Sequence, residues 1–236
     1  MKKILLICGI GLAIAPFAFA RQVQLLQKNL LYDTNLISYW NFNSGTSTDW
    51  TGNTNLTAAN ATYGNQYGIF GQGLECNGTN TELIGTLPTT YNPITVTAWF
   101  NVSTGNNNYL FWTQNTNNVG FQVQTTGKIY VQAYNGSGGP YFTSATSTYA
   151  DGKWHQIVIE VNGGTLTGWV DTVQIGTNSG ATVNVGGTIQ LCSSFGAANY
   201  AGGNLDDVQF WNRLLTASEI SNLYTSRSLE GNGISR

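Results

Sequence analysis

Between Ile94 and Val102 apolar residues take every second place: Val96, Ala98, Phe100 and Val102 fall on one side, and Thr95, Thr97, Trp99 and Asn101 on the other. A period of two marks an extended strand with one face on a core. Similar runs lie at Leu36 to Phe42, Tyr109 to Gln114, Val119 to Gln124, Lys128 to Ala133, His155 to Val161, Leu166 to Val170, Ile189 to Ser193 and Leu205 to Trp211. Clusters of Gly, Asn, Ser and Thr separate them and supply turns. So many short strands predict an all-β fold of two stacked antiparallel sheets. One short helix follows the last strand: Thr216-Ala217-Ser218-Glu219 reads as a capping box, with Ile220, Leu223 and Tyr224 at helical spacing behind it.

The first twenty residues have the layout of an export signal. Lys2 and Lys3 precede the apolar run Ile4 to Ala15, which is too short to span a bilayer, and Ala18-Phe19-Ala20 offers a peptidase site. The expected organisation is a signal over 1–20, an extension over 21–35, one domain over 36–225 and a flexible tail over 226–236. With the signal removed, no membrane span remains to be expected.

Only 8% of the residues are charged, while seven Trp, twelve Tyr and ten Phe are present. The aromatic residues give a core enough apolar area, which argues against disorder. Removing Lys2 and Lys3 from nine basic residues leaves seven against eleven acidic ones. No basic cluster occurs, so nucleic acid is not an expected partner. A surface of neutral hydrogen-bonding groups suits hydroxyl-rich ligands or packed assemblies. Cys76 and Cys192 are the cysteines left after export, and an oxidising compartment permits one disulfide between them. The alternative is two small core residues on separate strands.

The order of the motifs resembles one family. Tyr39-Trp40-Asn41-Phe42-Asn43, Asp49-Trp50-Thr51-Gly52-Asn53, Gly71-Gln72-Gly73-Leu74-Glu75-Cys76-Asn77-Gly78, Ile94 to Phe100, Asp151-Gly152-Lys153-Trp154-His155, Gly168-Trp169-Val170-Asp171 and Gly203-Asn204-Leu205-Asp206-Asp207-Val208 are similar to stations of the laminin-G-like jelly-roll family of the concanavalin superfamily. The resemblance implies a concanavalin A-like jelly-roll sandwich over Leu36 to about Tyr224. Two residues depart from it: Cys76 stands where Phe is usual, and Thr172 follows Asp171 where Gly is customary, although Thr resists positive φ.

Members of that family often carry a structural calcium near the loop after the first strand. The resemblance implies Asp49 and Asp206 as its carboxylate ligands, with Asn53, backbone carbonyls and water completing a shell of about six to eight oxygens. The residues leave a second reading open, in which Asp49 forms an Asx-turn and Asp206 accepts from buried backbone groups.

Glucanases of the superfamily carry a Glu-X-Asp-X-X-Glu strand that sets carboxylates on one face. That run is absent, and Glu75, Glu82, Glu160 and Asp171 stand singly, while Glu219 belongs to the capping box. His155, the only histidine, occupies a structural strand start in the resemblance. Catalysis is therefore not expected, and binding of extracellular glycans or glycoconjugates is. A sugar site needs an exposed ring beside amides or carboxylates. The candidate rings are Trp50, Trp112, Tyr134, Tyr141 and Tyr200. The competing expectation is self-assembly into a fibre, adhesin or virion through the extension, whose Val23 to Leu31 stretch could pair with a neighbour's sheet edge.

Overall fold

The computed structural model describes residues 30–231 apart from 115–116, 145, 181 and 195–198. The export signal and most of the extension lie outside the described residues. Seventeen strands are described: β1 Leu36–Trp40, β2 Thr57–Ala59, β3 Thr62–Gly64, β4 Gly73–Asn77, β5 Glu82–Thr86, β6 Ile94–Asn101, β7 Tyr109–Gln114, β8 Asn118–Val123 and β9 Ile129–Tyr134. Then follow β10 Tyr141–Thr143, β11 Trp154–Asn162, β12 Thr165–Val170, β13 Val173–Ser179, β14 Thr188–Leu191, β15 Ser193–Ser194, β16 Asn199–Tyr200 and β17 Gly202–Trp211, and last the helix α1, Ala217–Gly231.

All the strands but β15 and β16, which pair with each other, form two antiparallel sheets. One runs β13-β12-β11-β6-β17-β4-β3, with β1 also pairing β17. The other has seven strands in the order β10-β9-β8-β7-β14-β5-β2. Trp40, Phe100, Phe111, Phe121, Phe210 and their aliphatic neighbours fill the space between. Alternation puts them there: Val96, Ala98 and Phe100 enter this core, as the period of two in that run predicts. Cys76 on β4 and Cys192, just past β14, are joined as a disulfide with Cα atoms 5.1 Å apart, which ties one sheet to the other.

The outward side of β6 is covered too. Thr95, Thr97 and Trp99 are all buried, because α1 packs across this sheet. Ile220 and Leu223 join Leu30, Leu36, Tyr39, Val158, Trp211 and Leu215 in a second apolar cluster, and the Tyr224 ring stacks on Trp99 at 5.3 Å. The capping box forms in full: Glu219 N donates to Thr216 Oγ1 at 3.2 Å, and Thr216 N donates back to Glu219 Oε2 at 2.7 Å. The helix runs on to Gly231, past the start of the stretch read from sequence as a tail. Ser226 is buried and its hydroxyl donates to Leu223 O at 3.1 Å. No helix among the described residues is long and apolar enough to cross a membrane.

At the β12–β13 turn both central residues, Asp171 and Thr172, take positive φ, 50° and 71°. This is the mirror-image hairpin geometry that matches strand twist. The chain adopts it without the glycine such a turn favours.

Candidate ligand-binding face

Register places one straight row of side chains across the outer face of the seven-stranded sheet. Tyr141 on β10 stands opposite Gln132 on β9, Gln132 opposite Gly120 on β8, Gly120 opposite Trp112 on β7, and Trp112 opposite Gln190 on β14. A parallel row holds Thr143, Tyr130, Gln122 and Tyr109. Cross-strand partners share a face, and the intervening residues Val131, Phe121 and Phe111 belong to the core. The outer face is thus aromatic and amide in alternation.

Gly120 shapes this surface. A Cβ there would lie 2.6 Å from Trp112 Cε3 and 3.1 Å from Tyr109 Cδ1. Because glycine leaves that space open, the two rings lie down against the sheet with centroids 4.4 Å apart, and both are buried. The Tyr109 hydroxyl donates to Gln132 Oε1 at 2.8 Å, and the Tyr130 hydroxyl reaches the same oxygen at 3.4 Å. Burial, reinforced by Tyr130, pushes the Tyr109 phenol well above its usual value, and burial followed by Tyr141 raises that of Tyr130. Both phenols therefore stay neutral donors at physiological pH. Above this rigid layer the Tyr141 ring is 57% exposed, 6.1 Å from the Tyr130 ring at 34°. Gln122 Oε1 is buried without a hydrogen-bond partner among the described residues. The chemistry is that of flat apolar rings beside uncharged amides.

The other residues singled out from sequence lie at several places. Tyr134 shares the face of Tyr130 and Gln132 on β9, half-buried, and its hydroxyl donates to Gly136 O at 2.9 Å. Trp112 is on strand β7, and its ring is only 2% exposed, out of reach of a ligand. Tyr200 flanks the same sheet: its carbonyl accepts from the Asn106 and Asn108 amides at 3.0 and 2.7 Å. Trp50 lies elsewhere, beside β1, 49% exposed and edge-on to Tyr32 at 6.0 Å. Sequence reasoning passed over Tyr130, Gln122, Gln132 and Gly120. The signal was the outward half of the alternation in Lys128 to Tyr134, where Tyr130, Gln132 and Tyr134 oppose Ile129, Val131 and Ala133.

Asp49, Asn53 and Asp206 are engaged as loop organisers. Asp49 is 2% exposed. Its Oδ1 accepts from Tyr39 N at 2.8 Å and Thr51 N at 2.9 Å, and its Oδ2 from Thr51 Oγ1 at 2.9 Å and Thr54 N at 2.8 Å. Asp206 accepts from Ile69 N at 3.1 Å and Asp207 N at 2.8 Å, and Asn53 donates its amide to Ile37 O at 2.8 Å. Three backbone N–H groups and the Thr51 hydroxyl are thus aimed at the Asp49 carboxylate, and a calcium ion there would share its oxygens with them. Among the described residues no three His, Cys, Asp or Glu side chains gather at metal-binding distance.

Glu160 and Glu82 are also engaged in hydrogen bonds. Glu160 accepts from Trp169 Nε1 at 3.0 Å and Leu215 N at 3.2 Å, and burial raises its pKa. Glu82 accepts from Ser193 Oγ at 2.8 Å. Beneath α1 a cavity lined by Thr97, Trp99, Gln156 and Gln209 holds about 10 Å³, room for about one water and far too small for a sugar.

No curated protein matches this chain. Solved structures do match in fold. Domain 4 of AbnA, a GH43 extracellular arabinanase from Geobacillus stearothermophilus solved with arabinotriose, superposes at a TM-score of 0.65 with 16% identity over 80% of this chain and 98% of that one. The binding domain of Paraclostridial Mosquitocidal Protein 1 gives 0.69 and 16% over 81% of this chain and 52% of that one. The botulinum neurotoxin serotype D binding domain gives 0.67 and 14% over 83% and 51%. The chain spans about half the length of these two toxin domains. At such identities the likeness establishes the jelly-roll sandwich and no more. The profile of the concanavalin A-like lectin/glucanases superfamily matches residues 77–221, more than half of the sequence, and the chain belongs to that superfamily.

Proposed function

We propose that this protein is a non-catalytic, secreted binding module for uncharged extracellular glycans, held on the outer face of the seven-stranded sheet. The observation that carries the reading is the Tyr141–Gln132–Gly120 row with Tyr130 beside it: an exposed ring for the C–H face of a sugar, next to amides for its hydroxyls. The row runs across the strands, so a linear glycan would lie across them as well. No Lys or Arg stands in either row, which disfavours acidic glycans. The arabinanase domain of the same fold was solved with arabinotriose, a neutral oligosaccharide, and this supports the reading. The carboxylates are dispersed among structural hydrogen bonds, which supports a role without catalysis.

The test is calorimetric titration with neutral oligosaccharides. Tyr141→Ala and Gln132→Ala should each weaken binding by roughly tenfold, the equivalent of about 1.4 kcal/mol; the melting temperature should stay unchanged in the first and fall in the second, which leaves the buried Tyr109 hydroxyl without its acceptor. Binding untouched by both changes contradicts the reading.

Self-assembly is the second reading, and one observation favours it. The edge strand β13, Val173–Ser179, spans seven residues without charge or proline, and Val173 is 63% exposed. Such an edge offers unpaired backbone groups to another strand. Sedimentation that shows a monomer at high concentration removes this reading.

A further inference from the structure

His155 is the only histidine of the chain, and it stands between two carboxylates. Its Nδ1 lies 2.7 Å from Asp171 Oδ2 and its Nε2 3.1 Å from Asp151 Oδ1. The Phe100 ring covers one side at 5.7 Å, and the Tyr149 ring meets the imidazole edge-on at 5.2 Å. An ionised carboxylate only accepts hydrogen bonds. Both arms can therefore exist together only while both ring nitrogens carry a proton. A neutral imidazole has a single N–H, so on deprotonation one arm is lost and a nitrogen lone pair faces the abandoned carboxylate.

We propose that His155 is a two-armed, pH-sensitive latch, tying the turn at 149–153 to the Asp171–Thr172 hairpin turn and releasing the first when its ring loses a proton. Geometry decides which arm opens. Asp171 is held on every side: its Oδ1 accepts from Gln156 N at 2.9 Å, and its own N–H donates to Gln156 O at 3.0 Å. Its positive φ, and that of Thr172 beside it, need such fastening. Asp151 is more exposed and has substitutes for the histidine, since Lys153 N donates to it at 2.9 Å and Lys153 Nζ lies 3.2 Å away. The single remaining proton stays on Nδ1, and Asp151 is let go.

Asp151, Lys153 and Tyr149 come from the turn, and Asp171 from the hairpin. Tyr224 of α1 feels Asp171, whose charge adds to burial in raising that phenol. Burial of the imidazole lowers its pKa, but the bonds and charges of Asp171 and Asp151 outweigh this, and the net value rises above the ordinary 6.5. A raised folded pKa means stability fully present below 6.5 and lost as pH rises through the folded value.

The experiment uses the whole chain and two readouts. Nitrogen-15 spectra of the imidazole should show both nitrogens protonated at slightly acidic pH and a midpoint above 6.5, with the Gly152 and Lys153 amides moving at the same midpoint. A ring already neutral in that range, or a turn that does not respond, overturns the proposal. In thermal melting the native protein should lose stability as pH rises through the ring's titration. His155→Gln should show no such step, and an equal step in the variant overturns the proposal.

Discussion

Replacing Asp49 by Asn changes one atom and tests how the loop after β1 is built. In the native protein four donors converge on the carboxylate, two on each oxygen. Asn keeps one oxygen, which can still accept from Tyr39 N and Thr51 N. The other oxygen becomes an NH₂ group that faces the Thr54 N–H and the Thr51 hydroxyl, donor against donor. Two hydrogen bonds to a charged acceptor are lost, at about 1.5–3 kcal/mol each. The Thr51 hydroxyl recovers part of this, since its single proton can turn fully to Ile37 O, 2.9 Å away. We expect a net loss of about 3–4 kcal/mol, which for a domain of this size lowers Tm by roughly 6–16 °C. Differential scanning calorimetry of native and variant proteins, each with and without a chelator, reads both halves of the argument. The native melting temperature should not move when calcium is stripped, because the carboxylate is saturated by backbone and hydroxyl donors. A drop on chelation that calcium restores would refute this account of Asp49, and so would a variant as stable as the native protein.

Gly120→Val should destabilise by about 1–3 kcal/mol through overpacking, because its Cβ would meet Phe111 O as well as the Trp112 ring, each at 2.6 Å; it should also abolish glycan binding by lifting the aromatic layer, as chemical denaturation and calorimetry would show. Reducing Cys76–Cys192 opens a loop of sequence separation 116, which the chain-entropy model values at about 4–5 kcal/mol; urea midpoints with and without reductant measure it. Hydrogen bonds from Arg213 hold the Glu219 carboxyl below its usual pKa. The stability this contributes is present above 4.5 and lost as pH falls through the lower folded value. Glu219→Gln should therefore show a shallower acid limb in melting temperature than the native protein.

The strands that alternate cleanly were legible in the sequence. Tyr109 to Gln114 is found with those bounds as β7, and Ile94 to Val102 differs from β6 by one residue. The capped helix was legible because its N-terminal chemistry is local: Thr216 and Glu219 satisfy each other whatever the rest of the fold does. Short strands such as β2, β3 and β10 carry three residues each, too few for a period, and they exist because a neighbour offers its edge. The burial of Trp99 was beyond reach for a related reason, since α1 and the Tyr224 ring that cover it are distant in sequence. The ligand-binding face was half legible. Tyr141 is recognisable as an aromatic residue beside turn glycines. That Gln132 and Gly120 share its row depends on the register of three strands, which the turns and packing set jointly. Trp112 shows the limit of reading single residues: with Gln114 and Asn115 following it resembles a site ring, yet Gly120 across the ladder lets it lie flat and buried.

Titration of isotopically labelled protein with a neutral trisaccharide such as arabinotriose, followed by backbone and side-chain amide spectra, tests the binding face most directly. Saturable shifts are expected at Gln122, Tyr130, Gln132 and Tyr141, with a midpoint roughly tenfold higher in Tyr141→Ala. Shifts confined to the loop at Trp50 to Asn53 would contradict the binding face, as would an unchanged midpoint in Tyr141→Ala.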